Sequence, residues 1–337
     1  MKRLAAAAAM IAIAGCGRYA DFRLPAPEGS VADLRFEWQA DKDPVMPRGA
    51  TWDSVDVLNP SVVRLDGGYA NFYSGFDGKT WHTGFAASID GRNWTVRTQV
   101  MSPQATWEGR YIAANGSALK DGETIRYWYE AGAPVLKIGL AEMRPDRNAR
   151  GAQPTWKKPP APVLEPGPSG SWDERGVADP YVIRAGDSYY LFYLGQDRAR
   201  RQRLGMARSQ DGVVWTKLRS NPILELGGAG QFDEGGLGEP AVWTSHGRWW
   251  MLYTGRDREE IRRIGLASSL DGANWRRVEG FPIFAGTEPW NAKVVCDPSV
   301  EPFDGGVRVW FGGGDVAHPA ENIHGQIGFA ILRMIPR

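Results

Sequence analysis

Five acidic or amide residues recur along the chain at a nearly constant spacing. Asn59, Asn115, Asp179, Glu239 and Asp297 follow one another at intervals of 56, 64, 60 and 58 residues. All but Asn115 precede proline, and an aromatic residue stands seven positions before four of them: Trp52, Trp172, Phe232 and Trp290. The fifth copy, Trp107 to Asn115, is one residue longer and has Gly116 in place of proline. Brought together, these residues set three carboxylates and two carboxamides face to face. Crowded carboxylates repel, so one keeps its proton near neutrality while a neighbour ionises, which yields the pair that acid and base catalysis needs. Any one of them alone is better read as a turn residue that binds nearby N–H groups. A turn role does not explain why the residue varies among Asp, Glu and Asn while the frame around it stays.

The elements that must position them follow the same grammar five times. After each recurring residue comes a short apolar stretch, a Gly/Asp turn and an aromatic strand: residues 69–73, 125–129, 189–193, 249–253 and 307–311. Aromatic and β-branched side chains suit a pleated sheet. A glycine-led strand follows at Gly84, Gly139, Gly205, Gly265 and Gly328, and three copies continue as Ser-x-Asp-Gly-x-x-Trp, ending at Trp94, Trp215 and Trp275. Asp-Gly is hairpin chemistry, because glycine takes the positive φ of a tight turn. Units of four short antiparallel strands repeated about every 60 residues predict a β-propeller. The fold class is all-β: a five-bladed β-propeller of four-stranded antiparallel blades. The last repeat ends near Ile335 without its fourth strand, and Trp38 followed by Pro44-Val45-Met46 repeats the missing pattern. Residues 34 to 39 are therefore expected to close the ring, which makes residues 34–337 one domain.

Composition narrows the function. A net charge of +1 with no basic block provides no footprint for nucleic acid. Two cysteines, Cys16 and Cys296, support neither a disulfide framework nor a zinc cluster. No metal or other cofactor is expected, with an ion in the central channel left open. Lys2 and Arg3 precede an apolar run over residues 4–14 that ends in Ala14-Gly15-Cys16. The run resembles a bacterial lipoprotein signal peptide (residues 1–15), with Cys16 the lipidated N-terminus and residues 16–33 a tether. An ordinary cleaved signal is the alternative. The expected location is the cell envelope, extracytoplasmic and held to the membrane by acyl chains, with the protein a monomer.

The repeat frame, the Asp-Pro and Glu-Pro strand starts and the hairpins resemble those of the five-bladed propeller glycosidases, the group containing glycoside hydrolase families 43 and 32, with a further similarity to family 130. In families 43 and 32, three consecutive blades supply an Asp base or nucleophile, an Asp that tunes and positions, and a Glu acid. Val177-Ala178-Asp179-Pro180 matches the second motif and Leu237-Gly238-Glu239-Pro240 the third. The resemblance thus implies Glu239 as acid and Asp179 as modulator. Asn115 stands at the first motif and can neither take a proton nor attack, so Asp297 becomes the candidate base. The function expected is an extracytoplasmic glycoside hydrolase acting on an oligo- or polysaccharide; the alternative is a non-catalytic glycan-binding or scaffolding propeller. Candidate substrate-binding residues are Asn59, Asn115, Trp52, Asp53, Arg110, Trp172, Asp233, Trp290, Lys293 and His324. For the tryptophans, packing between blades is the competing reading.

Overall fold

A computed structural model describes residues 18–144, 156–278 and 282–337. The lipoprotein signal and Cys16 lie outside the described residues. Strand β1 (Tyr19–Ala20) and strand β2 (Leu34–Ala40) precede five antiparallel meanders. The first comprises β3 (Asp56–Leu65), β4 (Gly68–Phe76), β5 (Trp81–Ser88) and β6 (Thr95–Met101). The second comprises β7 (Ile112–Asp121), β8 (Thr124–Ala131) and β9 (Lys137–Met143), flanked by a bridge from Lys157 to Glu142. The third has β10 (Gly176–Ala185), β11 (Ser188–Gln196), β12 (Gln202–Ser209) and β13 (Thr216–Leu218). The fourth has β14 (Gly236–Ser245), β15 (Arg248–Arg256), β16 (Arg262–Ser269) and β17 (Arg276–Arg277). The fifth has β18 (Val294–Phe303), β19 (Gly306–Gly314) and β20 (Gln326–Pro336). Strand β2 completes it, running antiparallel to β20 from Leu34 opposite Pro336 to Ala40 opposite Ala330.

Local chemistry accounts for the hairpins. The first two strands of the fourth meander are joined by His246-Gly247, both at positive φ (49° and 67°), the backbone of a two-residue turn whose twist matches that of the strands. In Ser88-Ile89-Asp90-Gly91, the Ser88 hydroxyl accepts from the Gly91 N–H at 2.8 Å, and Asp90 accepts from the N–H groups of Arg92 and Asn93. Gly84 must lack a side chain: a Cβ there would lie 2.3 Å from the Trp52 ring.

Five apolar clusters lie between successive meanders: first with second, second with third, third with fourth, fourth with fifth, and fifth with first. The first strands accordingly neighbour one another in a cycle. Serine staples help hold them, as the N–H groups of Val62, Ala118 and Val182 donate to Ser299, Ser61 and Ser117 of the preceding first strand. Such a cycle is the arrangement needed to bring five strand residues to one axis.

Residues 18–33, read from composition as a tether, are docked on the meanders. β1 pairs in parallel with β13. Phe22 and Leu24 are buried among Tyr190, Trp249 and Trp275, and the Trp249 indole donates to the Pro25 carbonyl at 3.0 Å. The proline and glycine content that suggested a linker concealed these two apolar side chains, whose burial favours docking.

A second correction concerns the anchor aromatics. Trp52 and Trp172 pack tilted against Tyr73 and Tyr193, and Trp290 stacks on Phe311, inside their meanders at ring separations of 5.5, 5.5 and 6.0 Å. The residue after each anchor is equally committed. Asp53 is buried, with Arg97 at 2.5 Å and the Tyr73 hydroxyl at 3.2 Å. Asp233 binds Arg277 at 2.7 Å and Tyr253 at 2.9 Å. Glu108 binds Tyr129 and Lys158, and Asp173 binds Tyr193 and Lys217. In the fifth meander, acid and phenol are replaced together by Asn291 and Phe311, and Ala40 stands two residues after Trp38, the offset at which Arg277 follows Trp275. Asp53, Asp233 and the three tryptophans thus serve the fold, because each finds its partners within its own unit.

Candidate active site

The recurring residues converge. Asn59, Asn115, Asp179, Glu239 and Asp297 all adopt left-handed backbone conformations, with φ between 47° and 52°. Each sits at a bulge where the pairing of first and second strands slips, as between Ala178 and Tyr181. Non-glycine residues at positive φ are strained, and five equivalent ones mark a place where the fold opposes local preference. The bulge turns these side chains toward the axis and leaves their N–H groups outside the ladder.

Each of those N–H groups finds an acceptor from the preceding meander. Asn115 N donates to Ser74 Oγ at 2.9 Å, and Asp297 N to Thr254 Oγ1 at 3.2 Å. Asp179 N donates to Glu130 Oε2 at 3.4 Å. Where the second strand offers Leu194 or Gly312 instead, the neighbouring acid substitutes: Glu239 N donates to Asp179 Oδ2 and Asn59 N to Asp297 Oδ2, both at 3.2 Å. Ring geometry and the acids are therefore coupled.

Above this ring opens a cavity of about 270 Å³ lined by Asn59, Asn115, Glu130, Asp179, Glu239 and Asp297, with Trp81, Tyr111, Arg175, Gln202, Arg256 and Arg262 among its walls. A space of about 30 Å³ continues along the axis between the prolines that follow the ring residues. The Asn115 amide nitrogen donates to Asp179 Oδ1 at 2.6 Å and Glu130 Oε2 at 3.0 Å. Cys296 Sγ donates to Asp297 Oδ2 at 3.0 Å. Glu239 Oε2 is buried with no partner. Arg262 is the buried cation here, held by the carbonyls of His318 and Pro319 at 3.0 and 2.8 Å.

Four carboxyls beside one buried guanidinium cannot all ionise freely. Burial, then the charge of Glu239, push Asp179 up to about 7, against the hydrogen bonds from Asn115 and the Glu239 N–H. The same two causes hold Asp297 well above the ordinary carboxylate range, while Glu130 is raised by burial and then by Asp179. Asp179 thus exchanges its proton near neutral pH, which suits acid and base chemistry on a ligand in the cavity.

Of the residues singled out from sequence, the cavity holds Asn59, Asn115, Asp179, Glu239 and Asp297. Arg110, Lys293 and His324 do not line it. All three are exposed: the backbone carbonyls of Arg110 and Lys293 accept hydrogen bonds from Thr80 and Arg262, and His324 pairs with Asp315 at 2.7 Å. These irregular positions of the repeat thus lie beside the cavity lining, next to Tyr111, Arg262 and the segment of Pro319 and Ala320, and not in it. Sequence reasoning missed Glu130 and Arg262. Both carried a signal: Glu130 is the charged residue in the series Ser74, Glu130, Leu194, Thr254, Gly312, and Arg262 in the series Trp81, Leu136, Gln202, Arg262, Gly325. Among the described residues, no group of three or more His, Cys, Asp or Glu side chains is arranged to hold a metal ion.

The comparisons with known proteins bear on the fold and the family. An uncharacterized protein of Mycobacterium tuberculosis is 29% identical over 163 residues, which is 45% of this chain and 53% of the relative, so the match spans about half of that protein. A solved glycoside hydrolase superposes with a TM-score of 0.67 at 16% identity, over 92% of each chain. The β-1,2-mannobiose phosphorylase of Listeria innocua, solved with β-1,2-mannobiose, gives 0.67 at 11% identity, over 88% of this chain and 97% of its own. At such identities the likeness is one of fold. Residues 60–283 match the model of the glycosyl hydrolases family 32 N-terminal domain, and the chain belongs to that family.

Proposed function

We propose that the five meanders form a five-bladed β-propeller that hydrolyses glycosidic bonds in an oligo- or polysaccharide bound in the axial cavity. Glu239 is the proton donor, Asp297 the base, and Asp179 the residue that tunes Glu239 and fixes its backbone. One observation carries this reading: the raised carboxyls of Asp179 and Asp297 share a cavity open to a ligand with the buried, unpartnered Oε2 of Glu239. Family membership supports it. Two carboxyls across a sugar, one protonated and one ionised, are the minimal apparatus for glycoside hydrolysis.

The test is turnover of aryl furanosides and mannosides, with and without inorganic phosphate. Glu239→Gln should lower kcat by about 10²–10⁴, the usual contribution of a positioned acid. Unchanged turnover would remove Glu239 from this role. Asn115, at the position where the family pattern has an acid, supports a second reading as a glycan-binding propeller; calorimetric binding of an oligosaccharide without turnover would favour it.

We also propose that Cys16 carries the lipid that holds the protein at the outer side of a membrane. Metabolic labelling with a fatty-acid analogue, lost in Cys16→Ser, is the corresponding measurement.

A further inference from the structure

The five positions that support the ring are filled unequally. Ser74, Glu130, Leu194, Thr254 and Gly312 lie opposite Leu58, Ala114, Ala178, Gly238 and Cys296, the residues just before the ring members. The neutral hydroxyls of Ser74 and Thr254 satisfy the next N–H without bringing a charge to the axis. Glu130 meets the same need for Asp179 with a buried carboxyl, which is costly to bury unless something uses it. It stands in the meander whose ring residue, Asn115, is not an acid.

We propose that Glu130 is the carboxyl this meander lacks at Asn115, and that it is a positioning residue: it orients the Asn115 carboxamide and shares one proton with Asp179. The proposal rests on the cavity being the acid and base site described above. Both N–H groups of the Asn115 amide are spent, one on Glu130 Oε2 at 3.0 Å and one on Asp179 Oδ1 at 2.6 Å. The amide therefore bridges two acids with its nitrogen toward both. Glu130 Oε2 also accepts from the Asp179 N–H, so backbone and side chain of Asp179 are tied to one carboxyl. The charged or titratable groups facing Glu130 are Asp179, Glu239, Tyr111 and Tyr127, while Arg262 acts on Asp179. None of the groups acting most strongly on Glu130 is a cation, so one proton held between the two carboxyls is the economical state of the pair. The row Glu130, Asn115, Asp179, Glu239 then carries the influence of one acid to the proton donor through hydrogen bonds.

The test needs no substrate, so its outcome is separable from that of the activity screen. Side-chain carboxyl carbons of the full chain are labelled with ¹³C and titrated by NMR in the wild type, Glu130→Gln and Glu130→Ser. Gln keeps an acceptor for Asn115 and Asp179, and Ser copies the residue at the equivalent position of the first meander. The wild type should show two coupled steps, the upper at least about one unit above the lower. In both variants the Glu130 step is gone and the Asp179 curve should shift, its coupling to Glu239 remaining. An Asp179 curve identical in all three proteins overturns the proposal and leaves Glu130 a plain hydrogen-bond acceptor.

Discussion

Buried acids occur in two places in this molecule, under opposite electrostatics. Asp53, Glu108, Asp173 and Asp233 lie inside meanders, and each is met by a phenol from the second strand and a cation from the outer edge. Burial pushes Glu108 up, yet Tyr129, two backbone N–H groups and Lys158 outweigh it and hold the carboxyl below its ordinary value. Glu130, Asp179, Glu239 and Asp297 face one another around a cavity with one buried cation, Arg262, and Asp179 and Asp297 rise. The same residue types stabilise the fold where partners are complete and oppose it where partners are missing. Groups left short of partners by a fold that supplies them four times elsewhere are the ones available to a ligand.

The largest way to break this comparison is to unpair an internal acid. Lys217→Met leaves Asp173 buried without its cation and should cost about 3–5 kcal/mol in denaturant unfolding. A loss below about 1 kcal/mol would show that Asp173 is not part of the framework. The fifth meander sharpens the point, since its neutral Asn291 and Phe311 occupy the same places. Copying it through Asp233→Asn, Tyr253→Phe and Arg277→Ala together should cost less than Arg277→Ala alone, which is expected to lose about 3 kcal/mol. If the costs of the three changes simply add, the three do not act as a unit.

The smallest effect is the most diagnostic, because its sign differs between the two places. Unfolded, Asp179 loses its proton near about pH 3.9; folded, it keeps it to about 7. Folding therefore takes up a proton between these values, and Asp179 lowers stability as pH rises through that window. Asp179→Asn should match the wild type at pH 3 and exceed it at pH 8 by on the order of 1–3 kcal/mol. Glu108 has the reverse sign: its contribution is present above its unfolded value and lost as pH falls through its lowered folded one. Glu108→Gln should therefore lower stability at pH 8 and not at low pH. Melting curves across pH check both, and the same sign for both would end the distinction.

Much of this was legible because the chain writes its unit five times. Five aromatic strands, the hairpins and the recurring acids could be aligned against themselves, and residues 34 to 39 were placed beside the last repeat by the pattern they shared with other outer strands. Legibility failed where the repeat is silent. Nothing near Asp53 or Asp233 announces Arg97 or Arg277, each 44 residues further on. The docking of Phe22 and Leu24 depends on surfaces contributed by Tyr190, Trp249 and Trp275. Glu130 differed visibly from its counterparts, yet its place beside Asn115 follows from a strand register no linear spacing encodes.

Sequence by itself determined the all-β class, the repeat and the set of residues brought to the axis, because periodicity in a chain that buries aromatic strands leaves few ways to pair them. Which acids are neutralised and which are left to share protons was decided only by the tertiary structure. Ionisation depends on burial and on neighbours within a few ångströms, and those neighbours come from other meanders.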